Sequence, residues 1–197
     1  MKSTIDLLTI NKWSRPGTKL VATKAIVIHW PANPGQSPAG VRDYWERRKS
    51  GTNGFGSAHF VVGIRGDVLQ TIPTDEVAYH CGATSPIRPG SDQFYTDLVR
   101  QRWPYYTLDY QHRSTNQITI GIELCHNDWS GALSPETKAS AIDLVAGLCR
   151  KTCLDPATDV LRHKDIVGYK SCPKWAVDNP EHWAAFLAAI KIRMTGE

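Results

Sequence analysis

The chain contains no apolar run long enough to cross a membrane. Met1 to Leu20 carries Lys, Asp, Asn, Arg and Pro and lacks the apolar stretch of a secretory leader. A chain made in the cytoplasm and kept out of the bilayer is therefore expected. There is no basic block either. Lys and Arg number 23 against 19 Asp and Glu, so the net charge of +4 is spread thinly. That excludes a dedicated nucleic-acid surface and remains compatible with an anionic polymer as partner. No internal repeat and no low-complexity linker interrupt the chain. Cysteine is sparse and odd in number, at 5. In a reducing compartment these stay mostly thiols, and one is available to bind a metal. Cys149 and Cys153 share one helical face, where a disulfide is awkward and packing is expected. Whether Cys81 and Cys125 meet is open at this level.

What is present fits one domain of 197 residues, with 41% hydrophobic and 21% charged residues. The seven Trp suit either a binding groove or a core. Met1 to Leu20 reads as an extended arm on the surface. Lys24 to Trp30 reads as the first strand. Ser37-Pro38 marks an N-cap and first helical position, opening a helix to about Lys49. Ala58 to Ile64 and Val68 to Ile72 read as strands joined at Arg65-Gly66-Asp67. Residues 83–116 form a long irregular region with Pro86, Pro89 and Pro104, of the kind that carries function or its own helix. Its aromatics Trp103, Tyr105, Tyr106 and Tyr110 divide between groove wall and core. Gln117 to Leu124 is an apolar strand. Ser134-Pro135 opens a helix to about Cys153, Val160 to His163 is a short strand, and Asn179-Pro180 opens a last helix to about Arg193. Alternating strands and helices predict an α/β fold, a sheet with helices on its faces.

The densest chemistry lies in His163-Lys-Asp-Ile-Val-Gly-Tyr-Lys170-Ser-Cys172-Pro173. Imidazole nitrogen and thiolate sulfur are ligands that zinc prefers. His29, at the end of the apolar run Ala25-Ile-Val-Ile28, is a candidate third ligand. Two His and one Cys would leave a zinc ion with one open position. Lys170, two residues from Cys172, puts a cation where negative charge needs help.

Five segments together resemble the zinc-dependent N-acetylmuramoyl-L-alanine amidases of the type 2 family, which includes phage endolysins, bacterial autolysins and peptidoglycan recognition proteins. They are Ile26-Val-Ile-His29, Ser57-Ala-His59-Phe-Val-Val62, Val77-Ala-Tyr-His80-Cys-Gly82, Ile120-Gly-Ile-Glu123-Leu and His163 to Pro173. The resemblance runs from about Lys24 to Ile190 and is nearest to the phage endolysin and autolysin branch. It implies a single domain with a central mixed β-sheet flanked by α-helices, residues 1–23 forming an arm and 24–193 the catalytic domain. It implies one zinc per chain at His29, His163 and Cys172. It also implies cleavage of the amide between N-acetylmuramic acid and L-alanine of bacterial peptidoglycan.

The roles follow, each beside its plainer reading. Glu123 is a general base, or a surface position on an alternating strand. Lys170 steadies the oxyanion of amide hydrolysis, or is a solvated loop charge. His80 contacts the muramyl peptide or orients a reacting group; His59 contacts substrate or packs in its strand. Several family members carry Tyr where this chain has Ala58, and Glu123 is the candidate to take over that role. Two alternatives stand beside the endolysin or autolysin reading. One is a cytosolic amidase recycling anhydromuropeptides. The other is a peptidoglycan-binding protein without activity, against which Cys172 argues. The expected partners are peptidoglycan or muropeptides, with no nucleic acid, no membrane insertion and a monomeric chain. The expected place of action is the wall, after holin-type release or lysis, or the cytosol if the enzyme recycles.

Overall fold

The hydrophobic alternation of two strands decides how this chain folds. In the computed structural model, which describes residues 3–82, 94–107 and 113–196, β2 (Ala25–His29) and β5 (Thr119–Leu124) lie side by side and parallel. Side chains alternate across a sheet. Ile26, Ile28, Ile120, Ile122 and Leu124 therefore face one side, in a cluster with Val145, Leu148, Phe186 and Ile190. Each such fully buried aliphatic side chain contributes roughly 1.5–3 kcal/mol relative to exposure. His29, Thr119, Gly121 and Glu123 have the opposite parity, so they share the other face.

Among the described residues the sheet has six strands, in the order β1-β4-β3-β5-β2-β6. The remaining strands are β1 (Ser3–Ile5), β3 (Phe60–Val62), β4 (Val68–Gln70) and β6 (Val160–Arg162). Neighbours run parallel except for the hairpin β3–β4, so the sheet is mixed. The hairpin turns at Gly66, whose φ of +77° favours glycine.

Helix starts sit where their capping chemistry puts them. The Ser37 hydroxyl accepts the Gly40 N–H ahead of α1 (Pro38–Arg47). The irregular region carries a helix of its own, α2 (Asp97–Arg102), capped by Thr96. Ser134 accepts from Thr137 ahead of α3 (Pro135–Thr152). Three short helices follow: α4 (Pro156–Asp159), α5 (His163–Ile166) and α6 (Lys174–Asp178). The last helix is α7 (Pro180–Thr195). Its start is not capped by Asn179, whose amide instead donates to the Trp175 carbonyl. Helices α3 and α7 cover the aliphatic face of the sheet. Among the described residues no helix is long and apolar enough to cross a membrane.

The arm at the N-terminus does more than lie on the surface. Its β1 extends the sheet beside β4, and Leu8 is buried with Val41, Trp45 and Val61. The Arg15 guanidinium grips the Glu76 carboxylate through two contacts of 2.8 and 3.1 Å and also donates to the Leu8 carbonyl. Short polar stretches hide such long-range pairings from a periodicity argument.

Of the aromatics in the irregular region, Trp103 is buried in a cluster with Val27, Val99 and Ile166, and Tyr106 packs against it. Tyr105 is exposed, under the Arg113 guanidinium. Pro86, Pro89 and Tyr110 lie outside the described residues. All five cysteines are free thiols. Cys81 and Cys125 belong to different apolar clusters, and Cys153 is exposed at the left-handed end of α3.

Candidate metal centre and groove

Parallel strands bring their carboxyl ends to one edge, where α/β sheets place their ligands. His29 closes β2 and stands in register with Glu123 of β5. Strand β6 pairs with β2 from the other side, and the chain turns at once into α5. That turn is pinned by Asp165, which accepts from the Arg162 backbone N–H and pairs with its guanidinium, both at 2.8 Å. His163 is the first residue of the helix so formed, one position beyond the strand that the sequence pattern assigned it to. The following loop returns Cys172 to the same point, held by the Lys164 N–H donating to the Cys172 carbonyl at 2.9 Å.

The sheet edge thus assembles His29, His163 and Cys172. All three are buried, and one donor atom from each lies within 4.8 Å of the others. Cys172 Sγ is 3.7 Å from His29 Nδ1. The backbone of Gly82 bonds the His163 ring, yet its Nε2 is buried without a hydrogen-bond partner. A buried lone pair with no partner is costly in a native fold. A soft, small dication satisfies all three donors at once, so the donor set fits zinc.

Electrostatics agree with that fit. Burial holds His29 well below the ordinary imidazole range, and the neighbouring His163, His80 and Lys170 push the same way. His163 is driven down to about 3 by burial, then by Lys170. Both are neutral imidazoles, the ligand form. Burial, then Glu123, raises the Cys172 thiol, while a Trp30 backbone hydrogen bond and Lys170 oppose the rise. A coordinated dication reverses such a preference for the thiol. Glu123 is partly accessible, but its Oε2 is enclosed and unpartnered, and burial lifts the carboxyl to about 8.

These groups line a groove of ≈ 1430 Å³ that also takes in Lys170, His80 and Ser171. Lys170 is partly buried, its ammonium 5.8 Å from the Tyr169 ring. Its charge is felt by His29, His163 and Cys172 alike. His80 sits behind His29, with Nδ1 3.0 Å from His29 Nε2. The structure does not bring His59 to the groove. Its Nδ1 accepts the Gly121 N–H and its Nε2 meets the Glu76 carbonyl, both at 2.9 Å, so both nitrogens are used inside the sheet. A residue with no accessible surface and no spare nitrogen has nothing to offer a substrate. Ala58 is likewise fully buried, against Val61 and Ile72.

The groove walls come from residues that the sequence pattern did not single out. Trp30, Tyr44, Phe55 and Tyr79 line it, whereas Trp103, Tyr105 and Tyr106 do not. Two local signals were available: Trp30 directly follows the strand-end His29, and Tyr44 lies one helical turn before Arg48. The Arg48 guanidinium stacks on Tyr44 and donates to the Gly54 and Phe55 carbonyls, holding the rim loop.

Gly121 makes room for His80. A Cβ there would sit 2.5 Å from His80 Cγ, within the body of a packed ring. Gly121→Ala is expected to cost about 1–3 kcal/mol of stability, measured by urea unfolding. An unchanged midpoint would show that the ring moves aside freely.

The family described as N-acetylmuramoyl-L-alanine amidase matches residues 19–175 of this chain. N-acetylmuramoyl-L-alanine amidase BlyA of Bacillus subtilis (strain 168) is 31% identical over 194 residues, which cover 98% of this chain and 48% of BlyA. N-acetylmuramoyl-L-alanine amidase CwlL of Bacillus licheniformis is 30% identical over 183 residues, covering 89% of this chain and 43% of CwlL. The chain thus spans about half the length of the curated relatives it matches. Among solved structures, the catalytic domain of XlyA superposes with a TM-score of 0.68 at 24% identity, over 96% of this chain and 99% of that one. The PlyG catalytic domain gives 0.70 at 19%, over 98% and 96%. These two likenesses are of fold alone.

Proposed function

This chain belongs to the N-acetylmuramoyl-L-alanine amidase family, and on that premise we propose that it hydrolyses the amide between N-acetylmuramic acid and the L-alanine of peptidoglycan stem peptides. One observation carries the reading: His29, His163 and Cys172 converge on one buried point, with Glu123 in register beside them at the floor of an open groove. The residues fit one zinc per chain, held by those three side chains. Zinc, when bound, supplies a Lewis acid that polarises a carbonyl and makes water a better nucleophile at neutral pH.

The chain's own residues do the rest. The groove accepts an extended polymer and sets the scissile amide over the sheet edge. With a dication held at His29, His163 and Cys172 favouring its ionised form, Glu123 would take a proton at its carboxylate from the attacking water and pass it to the departing amide nitrogen. Its position on β5, locked by the pairing with β2, keeps that carboxylate near the reacting carbon. The Lys170 ammonium faces the oxygen that becomes negative as the carbonyl turns tetrahedral.

The test is digestion of purified peptidoglycan followed by mass spectrometry. New L-alanine amino termini together with intact glycan strands are the expected products. New reducing sugars without new amino termini would overturn the reading.

Lys170→Met keeps the bulk of the stem and removes the charge. Turnover is expected to fall about 100-fold with zinc content and melting temperature nearly unchanged. The charge it meets exists only in the transition state, so kcat should move more than KM. Early melting with normal turnover per folded molecule would make Lys170 a structural residue.

A further inference from the structure

We propose that His80 and Thr119 are positioning residues that fix the tautomer of His29, so that its Nδ1 lone pair is aimed at the metal. The inference rests on the reading of His29 as a ligand and concerns what stands behind it. The chain of hydrogen bonds has one consistent direction, and its far end sets it. The Thr119 hydroxyl lies 2.8 Å from the Thr115 carbonyl, which can only accept, so the hydroxyl proton is committed there. Thr119 Oγ1 is then an acceptor towards His80 Nε2, at 3.2 Å. The Thr119 carbonyl, 3.3 Å from the same nitrogen, is also an acceptor only. Both contacts require a proton on His80 Nε2.

A neutral imidazole carries one such proton, so His80 Nδ1 is bare. The ring is buried, and no carboxylate is among its hydrogen-bond partners. The bare nitrogen lies 3.0 Å from His29 Nε2, which must donate to it. With its proton on Nε2, His29 presents Nδ1 unprotonated, and Nδ1 is the atom 3.7 Å from Cys172 Sγ. Cys81 Sγ lies 3.2 Å from His80 Nδ1 and 3.6 Å from Thr119 Oγ1, so its S–H can turn to the threonine oxygen and leave the single Nδ1 lone pair to His29.

The fold commits several residues to holding this ring. Asn116 Oδ1 accepts the backbone N–H groups of both His80 and Cys81, at 3.0 and 2.8 Å. Gly121 supplies the space beside the ring, as described above. Ligating histidines usually pass their second N–H to a carboxylate, a carbonyl or water; here a second histidine takes it, backed by a threonine.

Two measurements test the proposal. In metal-free protein, long-range nitrogen–proton NMR should show His29 and His80 both protonated at Nε2. A proton on Nδ1 of either ring would overturn the proposal whatever the protein's activity. In chelator competition, wild type should bind one zinc per chain. His80→Leu should bind it about 10–100-fold more weakly. His80→Asn, whose side-chain oxygen falls near the place of Nδ1, should recover most of the loss. Equal zinc affinity in wild type and His80→Leu would refute the positioning role. A wild type that binds no zinc would instead refute the ligand assignment, while the NMR result still judges the hydrogen-bond chain.

Discussion

Glu123→Gln is expected to lower turnover by roughly 10²–10⁴-fold, the contribution typical of a positioned acid–base group. The substitution keeps size, planarity and one oxygen, and removes only the ability to take a proton. Nothing in the packing asks for a carboxylate here. Glu123 stands on a strand whose other members are buried, and its Oε2 is enclosed with no partner. An ionisable group held that way, with its carboxyl lifted to about 8 by burial, is a poor stabiliser of the fold. The variant should therefore fold and melt like wild type or slightly later. It should also keep its zinc, since the proposed metal-ligand cluster is His29, His163 and Cys172. Turnover on purified peptidoglycan, normalised to zinc content, is the measurement. Comparable activity in Glu123→Gln would remove Glu123 from the mechanism and reopen the question that Ala58 poses.

Much of this site was legible because its residues sit at element ends. His29 follows an uninterrupted apolar run, and a run of that kind in an α/β chain delivers its last side chain to the sheet edge. Glu123 was legible as chemistry but not as placement. Only the pairing of β2 with β5 puts it opposite His29, and sequence does not state register. Residues 26, 28, 120 and 122 show why the parity argument works once the pairing is known: both strands send their Ile side chains to the helices. His59 and His80 looked alike in sequence, each in an apolar segment beside small residues. They separate by what surrounds them. His59 has backbone partners on both nitrogens, whereas His80 touches His29. The arm defeated local reasoning for a related reason. Its β1, Leu8 and Arg15 are held by β4, by Val41, Trp45 and Val61, and by Glu76, all distant in sequence.

Cys172→Ala should weaken zinc binding by about 100-fold or more. The thiol is one of three donors, and the other two are imidazoles that burial keeps neutral. Sulfur is therefore the one ligand of the set that brings negative charge to the cation. Losing an outer hydrogen-bond partner of a ligand costs roughly 10–100-fold in metal affinity, and losing a ligand should cost at least that. The effect is readable as stability. Zinc at 1,000 times its dissociation constant raises the unfolding free energy by about 4.1 kcal/mol through mass action. A 100-fold weaker site under the same conditions gains only about 1.4 kcal/mol. Wild type should accordingly melt earlier when a chelator is added, and Cys172→Ala should respond much less. Cys125→Ala is the matched control, because Cys125 is a buried thiol packed with Trp45 and Val61 rather than part of the ligand cluster. It should lose packing stability yet keep one zinc per chain and its full response to chelator. If Cys172→Ala retains one zinc and wild-type chelator sensitivity, the thiol is not a ligand and the assignment of the metal centre falls.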